Sequence, residues 1–438
     1  MSASTRIPRP RQRVVRLDVH YQDDGPRQLV GRLGEDARGT IYFEYDAAWV
    51  ATGRELSPHQ LPLALAGGVV RAPDARSLHG LHGLFADSLP DSWGLRVMGR
   101  ALRRAGLDPL QIGALDRLAY LGARTMGALT YHPATPWPRH AAGAITLDQL
   151  AAESDLLVDG TLDDAPPADA LDALERVAGS AGGAQPKVLI AATVDGTTVR
   201  AGTEPHRGMV PYLLKFTPRR AGLGVRSDNG SIEQAYAAMA RGVGIQMGAT
   251  RLFATTDGRL HFAAVRFDRT ADGGRRHVHT LGGLIGREPS MGGDYDELLR
   301  VARALTGDER VLDEIVLRLA FNVAVLNDDD HVKNIAFRFD PIAGWQLAPA
   351  YDLTYAPSRR GERGMSVAGH EADVTWAVIA TLAEQHSIPI ARVHEIRASV
   401  EAVLDQWPAY AADARVPDAA ITELAAAFAA RRAQLARV

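Results

Sequence analysis

The 438-residue chain contains no cysteine. This excludes disulfide staples, thiolate metal sites and cysteine nucleophiles. It also lacks any run of about 18 apolar residues, which excludes a membrane-spanning helix. Arg6, Arg9, Arg11 and Arg13 crowd the first residues, but no apolar stretch follows them, so a secretory signal is not expected. A soluble cytoplasmic protein, with no membrane partner, is the expectation. Charge of one sign is missing too: 49 Lys and Arg stand against 52 Asp and Glu, a net charge of −3. That excludes a protein that coats nucleic acid by bulk electrostatics, leaving only a local basic patch or an indirect contact. There is no fixed-period repeat and no low-complexity tract beyond a few alanines. What is present is 46% hydrophobic residues, enough to build cores for two or three domains of about 150 residues.

In chain order, Val15, Leu17 and Val19 alternate with Arg16 and Asp18, the period-2 signature of a half-buried strand. Leu29 to Leu33 and Ile41 to Tyr45 repeat it, predicting a small β-rich N-terminal module. From Phe85 the pattern turns helical, with Asp91 or Ser92 as the N-cap of an Arg-rich helix. The stretch from Leu118 to Leu129, punctuated by Gly122 and Gly127, reads as short strands or a tight turn. Prolines from 133 to 167 mark a connection. Tyr212 to Thr217 and a pair around Asp257-Gly258 are further strands. Beyond them Asp294 to Leu305 and the stripe from Leu312 to Leu326 are helical, as are later stripes including Val393 to Trp407 and Ile421 to Phe428. The division expected is 1–135, 136–290 and 291–438.

Five features carry chemistry. Asn327 to Asn334 read Asn-Asp-Asp-Asp-His-Val-Lys-Asn, and Asp329 precedes Asn334 by the five residues that separate base and metal-binding Asn in kinase catalytic loops. The small-residue loop from Gly179 to Ile190 can turn backbone N–H groups toward a phosphate and places Lys187 at its exit. Lys215 is set into an apolar strand, where desolvation demands a partner. Glu233, on the helix expected after a Ser231 cap, is the natural one. Asp352 follows a hairpin, as the second metal-binding Asp of kinases does. Each alone also reads as an acidic turn, a flexible hairpin, an edge-strand lysine, a surface acid or a loop acid. Their order, with a mostly α region following a mostly β one, favours a phosphoryl-transfer enzyme of α+β, two-lobed, protein-kinase-like fold. Two other readings stay open: a degenerate kinase fold serving only as corepressor, and a metal-dependent hydrolase built on Asp328 to His331.

The chain resembles the HipA-type serine/threonine protein kinase toxins of bacterial toxin–antitoxin modules over nearly its whole length. The resemblance is carried by Asn327-Asp-Asp-Asp-His-Val-Lys-Asn334, similar to N-x-D-x-H-x-K-N, and by Ser180-Ala-Gly-Gly-Ala-Gln-Pro-Lys187, similar to S-x-x-G-A-Q-x-K. Arg266-Phe-Asp-Arg269, Tyr351-Asp352, the Leu-Pro-Asp at 89 to 91 and Gly122 to Leu129 are also similar. It implies ATP and Mg²⁺ as cofactors, Asp329 as base with Lys333 beside the transferring phosphate, and Asn334 and Asp352 as metal ligands. Lys215, oriented by Glu233, and Gly182, Gly183, Ala184, Gln185, Lys187 and Phe267 would serve the nucleotide. Ser180 would be an autophosphorylation site that silences the kinase. The implied partners are a DNA-binding antitoxin and a protein substrate, such as an aminoacyl-tRNA synthetase or another translation protein. Two departures stand out: Val265 where relatives often carry Glu at the hinge, and Pro186, which removes a backbone donor.

Overall fold

The alternation around Leu17 and Val19 becomes β1 (Arg16–Tyr21), whose Leu17, Val19 and Tyr21 point inward and are buried. It pairs antiparallel with β2 (Gln28–Glu35), followed by β3 (Ile41–Tyr45), and the sheet of the N-terminal module runs β4-β3-β2-β1-β5, with β4 at Val70–Arg71 and β5 at Leu129–His132. The computed structural model describes residues 13–73, 77–104, 106–134, 146–158, 174, 185–202, 208–221, 225–270, 272–358 and 361–437. In this module lie helices α1 (Ala47–Val50), α2 (Gly83–Ala86), α3 (Ser92–Arg104) and α4 (Ala114–Leu121). Helix α4 corrects the strand-or-turn expectation at Leu118 to Leu121 only, where Leu115, Leu118, Ala119 and Leu121 recur at helical spacing and are buried; from Gly122, at φ 57°, the chain turns and enters β5 at Leu129, as expected.

Helix α5 (Leu147–Val158) leads to a second antiparallel sheet, ordered β7-β6-β8-β10-β9. Its strands are β6 (Lys187–Thr193), β7 (Val199–Ala201), β8 (Met209–Lys215), β9 (Thr250–Ala254) and β10 (Leu260–Val265). Helix α6 (Asn229–Gly242) lies between β8 and β9 in sequence and packs on the sheet. It begins two residues before Ser231, with Asp228 at the cap position, so the expected Ser231 cap is corrected: Ser231 is buried inside the first turn. Gly230 sits where an added Cβ would lie 2.3 Å from the Leu260 carbonyl oxygen, which brings the start of α6 tight against β10.

The third unit is helical: α7 (Leu281–Ile285), α8 (Tyr295–Thr306), α9 (Arg310–Ala324), α10 (Trp376–Gln385), α11 (Ile390–Asp405), α12 (Trp407–Asp413) and α13 (Asp418–Leu435). A small sheet of β11 (His277–Thr280), β12 (Ala336–Asp340) and β13 (Gly344–Leu347) is set into it. Its core gathers α6, α8, α9 and the later helices around Tyr236, Phe321 and Trp407. Among the described residues no helix is long and apolar enough to cross a membrane.

The N-terminal module joins the rest through buried polar contacts. Asp87 accepts from Thr280 N (2.7 Å) and Thr280 Oγ1 (2.8 Å) and faces His279 Nδ1 at 2.7 Å. The Gly127 N–H donates to Asp268 Oδ2 at 2.8 Å, while Arg266 and Arg269 flank the same carboxylate. His277 Nε2 donates to the Leu56 carbonyl at 3.0 Å, and burial pushes its pKa down to about 3, with His279 adding to the effect. A folded-state value below the unfolded 6.5 means the unfolded chain binds the proton more readily. This contribution to stability is therefore intact above about pH 6.5 and is lost as pH falls toward 3, at roughly 1.4 kcal/mol per unit. Urea midpoints at pH 7 and pH 5 should diverge, and His277→Gln should narrow the gap; an unchanged gap would remove His277 from the account.

Candidate phosphoryl-transfer site

Strand β8 is apolar because it is central in its sheet, and its last residue, Lys215, is buried. Its ammonium cannot stay charged there alone. Glu233, fully buried on α6, supplies one carboxylate and Asp352 the other, both in contact with Lys215 Nζ. Burial opposes the lysine's charge, yet the two carboxylates outweigh it and raise its pKa. Two acids share one ammonium unequally. Burial pushes Glu233 up to about 7 against the pull of Lys215, whereas Asp352, facing burial but close to Lys215 and Lys187, is held well below the usual carboxylate range. Asp352 takes left-handed backbone, φ 56°, a conformation that costs a non-glycine residue about 1 kcal/mol or more and tends to persist at functional sites.

Lys187 is the register partner of Lys215 across β6 and β8, so both lysines stand at the same end of the sheet. Burial lowers its pKa, Asp352 opposes that, and Lys215 adds to it. Two buried ammonium groups with a shared carboxylate are suited to a polyanion. Gln185 lies two residues earlier, its amide 3.4 Å from the Phe216 carbonyl, and the Pro186 carbonyl accepts from Phe216 N at 2.8 Å. Ser180, Gly182, Gly183 and Ala184 lie outside the described residues.

Helix α9 delivers the catalytic-loop sequence. Leu326, at φ 59°, turns the chain, and Asn327 N donates to the Asn322 carbonyl at 2.9 Å. The three carboxylates then separate by role. Asp328 is buried against Arg363 Nη1 (2.8 Å), and Asp330 against Arg363 Nη2 and the Tyr295 hydroxyl (2.7 Å). Asp329 between them keeps a side chain 70% exposed, with His331 Nε2 3.9 Å away. Surrounding protein raises its pKa and His331 opposes the rise, an influence that water at this exposed carboxylate screens. Asn334 Nδ2 donates to the Asp329 carbonyl at 2.6 Å, tying both ends of the five-residue interval together. Asp328 and Asp330 are engaged by Arg363, and among the described residues no group of three or more His, Asp or Glu is placed to hold a metal ion. The geometry therefore gives the hydrolase reading of Asp328 to His331 no support.

Of these parts, Lys187, Lys215, Glu233, Asn334 and Asp352 line one cleft of about 1350 Å³, open mouth included, whereas Asp329 is not among its lining residues. Val265 and Phe267 line it as well; Phe267 lies against Tyr351 with ring centroids 5.6 Å apart. The N-terminal module forms part of the wall through Leu84, Met126 and Asp91. Lys333, expected beside a transferring phosphate, reaches Asp91 Oδ1 at 2.6 Å. Asn334 and Asp352 offer one amide oxygen and one carboxylate. That donor set fits Mg²⁺, which commonly takes one or two protein oxygens and completes its shell with phosphate and water.

Sequence reasoning treated Asp91 as a helix cap and did not single out Asp87 or Arg363. Their partners are distant in the chain, and no local periodicity marks such a pair. The Leu-Pro-Asp at 89 to 91 belongs to the family resemblance, but neither it nor an isolated Arg names its partner until the fold brings them to Lys333 and to Asp328.

The family model of the HipA-like C-terminal domain matches residues 179–407, and that of the HipA N-terminal domain matches residues 17–132. Among solved structures, a chain of the Shewanella oneidensis MR-1 toxin–antitoxin complex of HipA, HipB and operator DNA is similar at 18% identity, with 96% of both chains covered and a TM-score of 0.64. The Helicobacter pylori proinflammatory kinase CtkA is matched at 11% identity over 58% of this chain and 90% of that chain, with a TM-score of 0.38. No curated protein matches.

Proposed function

Because this chain belongs to the HipA family, we propose that it is an ATP- and Mg²⁺-dependent serine/threonine protein kinase, the toxin of a toxin–antitoxin pair. The observation that carries the reading is the buried Lys215–Glu233–Asp352 group at the cleft that also holds Asn334, beside the exposed Asp329. Lys187 and Lys215 bind and orient the phosphates of ATP. Mg²⁺, held by Asn334 and Asp352, supplies positive charge to the phosphate oxygens. Asp329 accepts the proton of the target's hydroxyl as that oxygen bonds to the γ-phosphorus and the bond from phosphorus to the ADP oxygen breaks. Its exposure suits a base that must meet a protein substrate.

Regulation follows the same chemistry. A phosphate on Ser180 would bring about −1.5 to −2 charges to the loop before Lys187 and exclude ATP from it. The S. oneidensis complex contains HipB and operator DNA, which supports a DNA-binding antitoxin as partner here and an indirect route to DNA. The target is a protein, in the family's manner one of the translation apparatus.

The test is incubation with labelled ATP and Mg²⁺, with phosphate located by mass spectrometry. Label on the wild type, including Ser180, and at least about a thousandfold less on Asp329→Asn is expected. An unlabelled wild type would turn the reading to a corepressor with a kinase fold. Equal label on Asp329→Asn would remove Asp329 as base.

A further inference from the structure

Helix α3 belongs to two cores at once. Met98 and Leu102 pack in the N-terminal module, while Trp93 and Val97 pack with Val188, Ile190 and Leu214 of the second sheet. The indole N–H of Trp93 donates to the carbonyl of Lys187 at 3.0 Å. Two residues earlier, where Leu95 N donates to the Asp91 carbonyl at 2.9 Å, Asp91 sends its carboxylate to Lys333 Nζ at 2.6 Å. One helical turn of the N-terminal module thus grips β6 on one side of the cleft and the catalytic loop on the other. Both side chains of the Asp91–Lys333 pair are mostly buried, 24% and 19% exposed, so the attraction is little screened. The backbone around Lys333 is fixed from other directions: its carbonyl accepts from the Tyr351 hydroxyl at 2.6 Å, and the Val332 carbonyl accepts from Gly282 N at 2.9 Å. Asp91 is the partner that fixes its ammonium.

We propose that Asp91 is a positioning residue of the transfer site: through Lys333 it braces the catalytic loop against the sheet that carries Lys187 and Lys215, so that the two sides of the phosphate site keep a set separation only while the N-terminal module is docked. The proposal rests on the kinase reading for its kinetic consequence and not for its structural one. In that reading Lys333 lies between the base Asp329 and the metal ligand Asn334, and a loop free to shift by about 1 Å at this point loses on the order of a hundredfold in rate. The N-terminal module is thereby a working part of the site.

The experiment uses the full chain as wild type, Asp91→Asn, Asp91→Glu, Lys333→Met and the double variant Asp91→Asn/Lys333→Met. Hydrogen exchange of the Lys333 and Asn334 amides, which donate within the loop to His331 at 3.2 and 2.8 Å, reads the brace without any need for activity. Asp91→Asn should speed their exchange about tenfold with the Trp93-to-β6 contact and the melting temperature little changed, and Asp91→Glu should restore most of the protection. With labelled ATP, Asp91→Asn should lower kcat about tenfold with a small change in KM, and should add nothing to Lys333→Met, because Asp91 acts through that lysine. Wild-type exchange in Asp91→Asn would overturn the brace, and so would equal kinetic losses with and without Lys333. If the wild type transfers no phosphate, the kinase reading fails, while the exchange result still decides the brace.

Discussion

Lys215→Met should lower phosphoryl transfer about a hundred- to thousandfold and at the same time destabilise the fold, more at pH 8 than at pH 6. The first effect follows from losing the ammonium proposed to bind the phosphates of ATP. The second follows from burial: Glu233 is fully buried and Asp352 lies in the same group, so deleting the cation both contact leaves two like charges with only the more distant Lys187 to offset them. Breaking a buried ion pair on one side costs about 3–5 kcal/mol. Glu233 can escape by taking a proton. Its pKa is already pushed to about 7 by burial, and without Lys215 it rises further. A carboxyl whose folded pKa lies above its unfolded value gives its full stability below the unfolded pKa and loses it as pH rises through the folded one. The variant should therefore unfold at lower urea at pH 8 than at pH 6, reversing the direction expected for His277. Glu233→Gln added to Lys215→Met should recover stability without recovering transfer. Equal urea midpoints for Lys215→Met and wild type at pH 8 would show that the three groups do not form a buried charge cluster.

The contrast between Lys215 and Asp91 shows what the sequence could and could not disclose. A lysine among Tyr212, Leu213, Leu214 and Phe216 raises a desolvation problem that is visible in six residues, and Glu233 answers it from the next helix. The strands β1 to β3 follow from period-2 alternation, the pair β9 and β10 from its turn residues, and the helices α8, α9, α11 and α13 from 3.6-residue stripes, since these patterns are local, whereas β4, β7, β11 and α10 carry no such signal. The joint between units has no such pattern. Asp87 finds Thr280, Asp91 finds Lys333, and Gly127 finds Asp268 across more than 140 residues. Gly83 shows the same limit. Nothing around it announces that an added Cβ would fall 1.9 Å from the Gly283 carbonyl oxygen, where α2 meets α7. Nor does the run of Asp328, Asp329 and Asp330 reveal by itself which carboxylate stays at the surface; the motif resemblance pointed to Asp329, and burial gives the physical difference.

That difference depends on Arg363. Its guanidinium is buried, bonds Asp328 through one nitrogen and Asp330 through another, and donates to the Asn327 carbonyl at 3.1 Å. Asp328 also accepts from Ser358 N at 3.0 Å and from Arg431 of α13 at 3.3 Å, while Gly364 N donates to the Asp328 carbonyl at 2.9 Å. Gly364 is packed so closely that an added Cβ would lie 2.6 Å from His331 N. The segment after Asp352 is thus folded back on the catalytic loop, and two flanking acids are drawn inward so that Asp329 alone turns out. Arg363→Met should cost about 3–5 kcal/mol, because Asp328 would keep only Arg431 as a cation and Asp330 only the Tyr295 hydroxyl. Burial already raises the pKa of Asp330 against the pull of Arg363, so this loss should shrink as pH is lowered toward the carboxylate range. Arg363→Lys keeps the charge but not the fork that spans two carboxylates, and should retain about half of the stability while loosening the loop. The measurements are urea midpoints at pH 5 and 7.5, hydrogen exchange across residues 327–334, and kcat for labelled ATP. If Arg363→Met matches wild type in exchange and midpoint, the loop is held by its backbone bonds alone. If Arg363→Lys restores stability but not kcat, it is the two-pronged geometry, not the charge, that turns Asp329 outward.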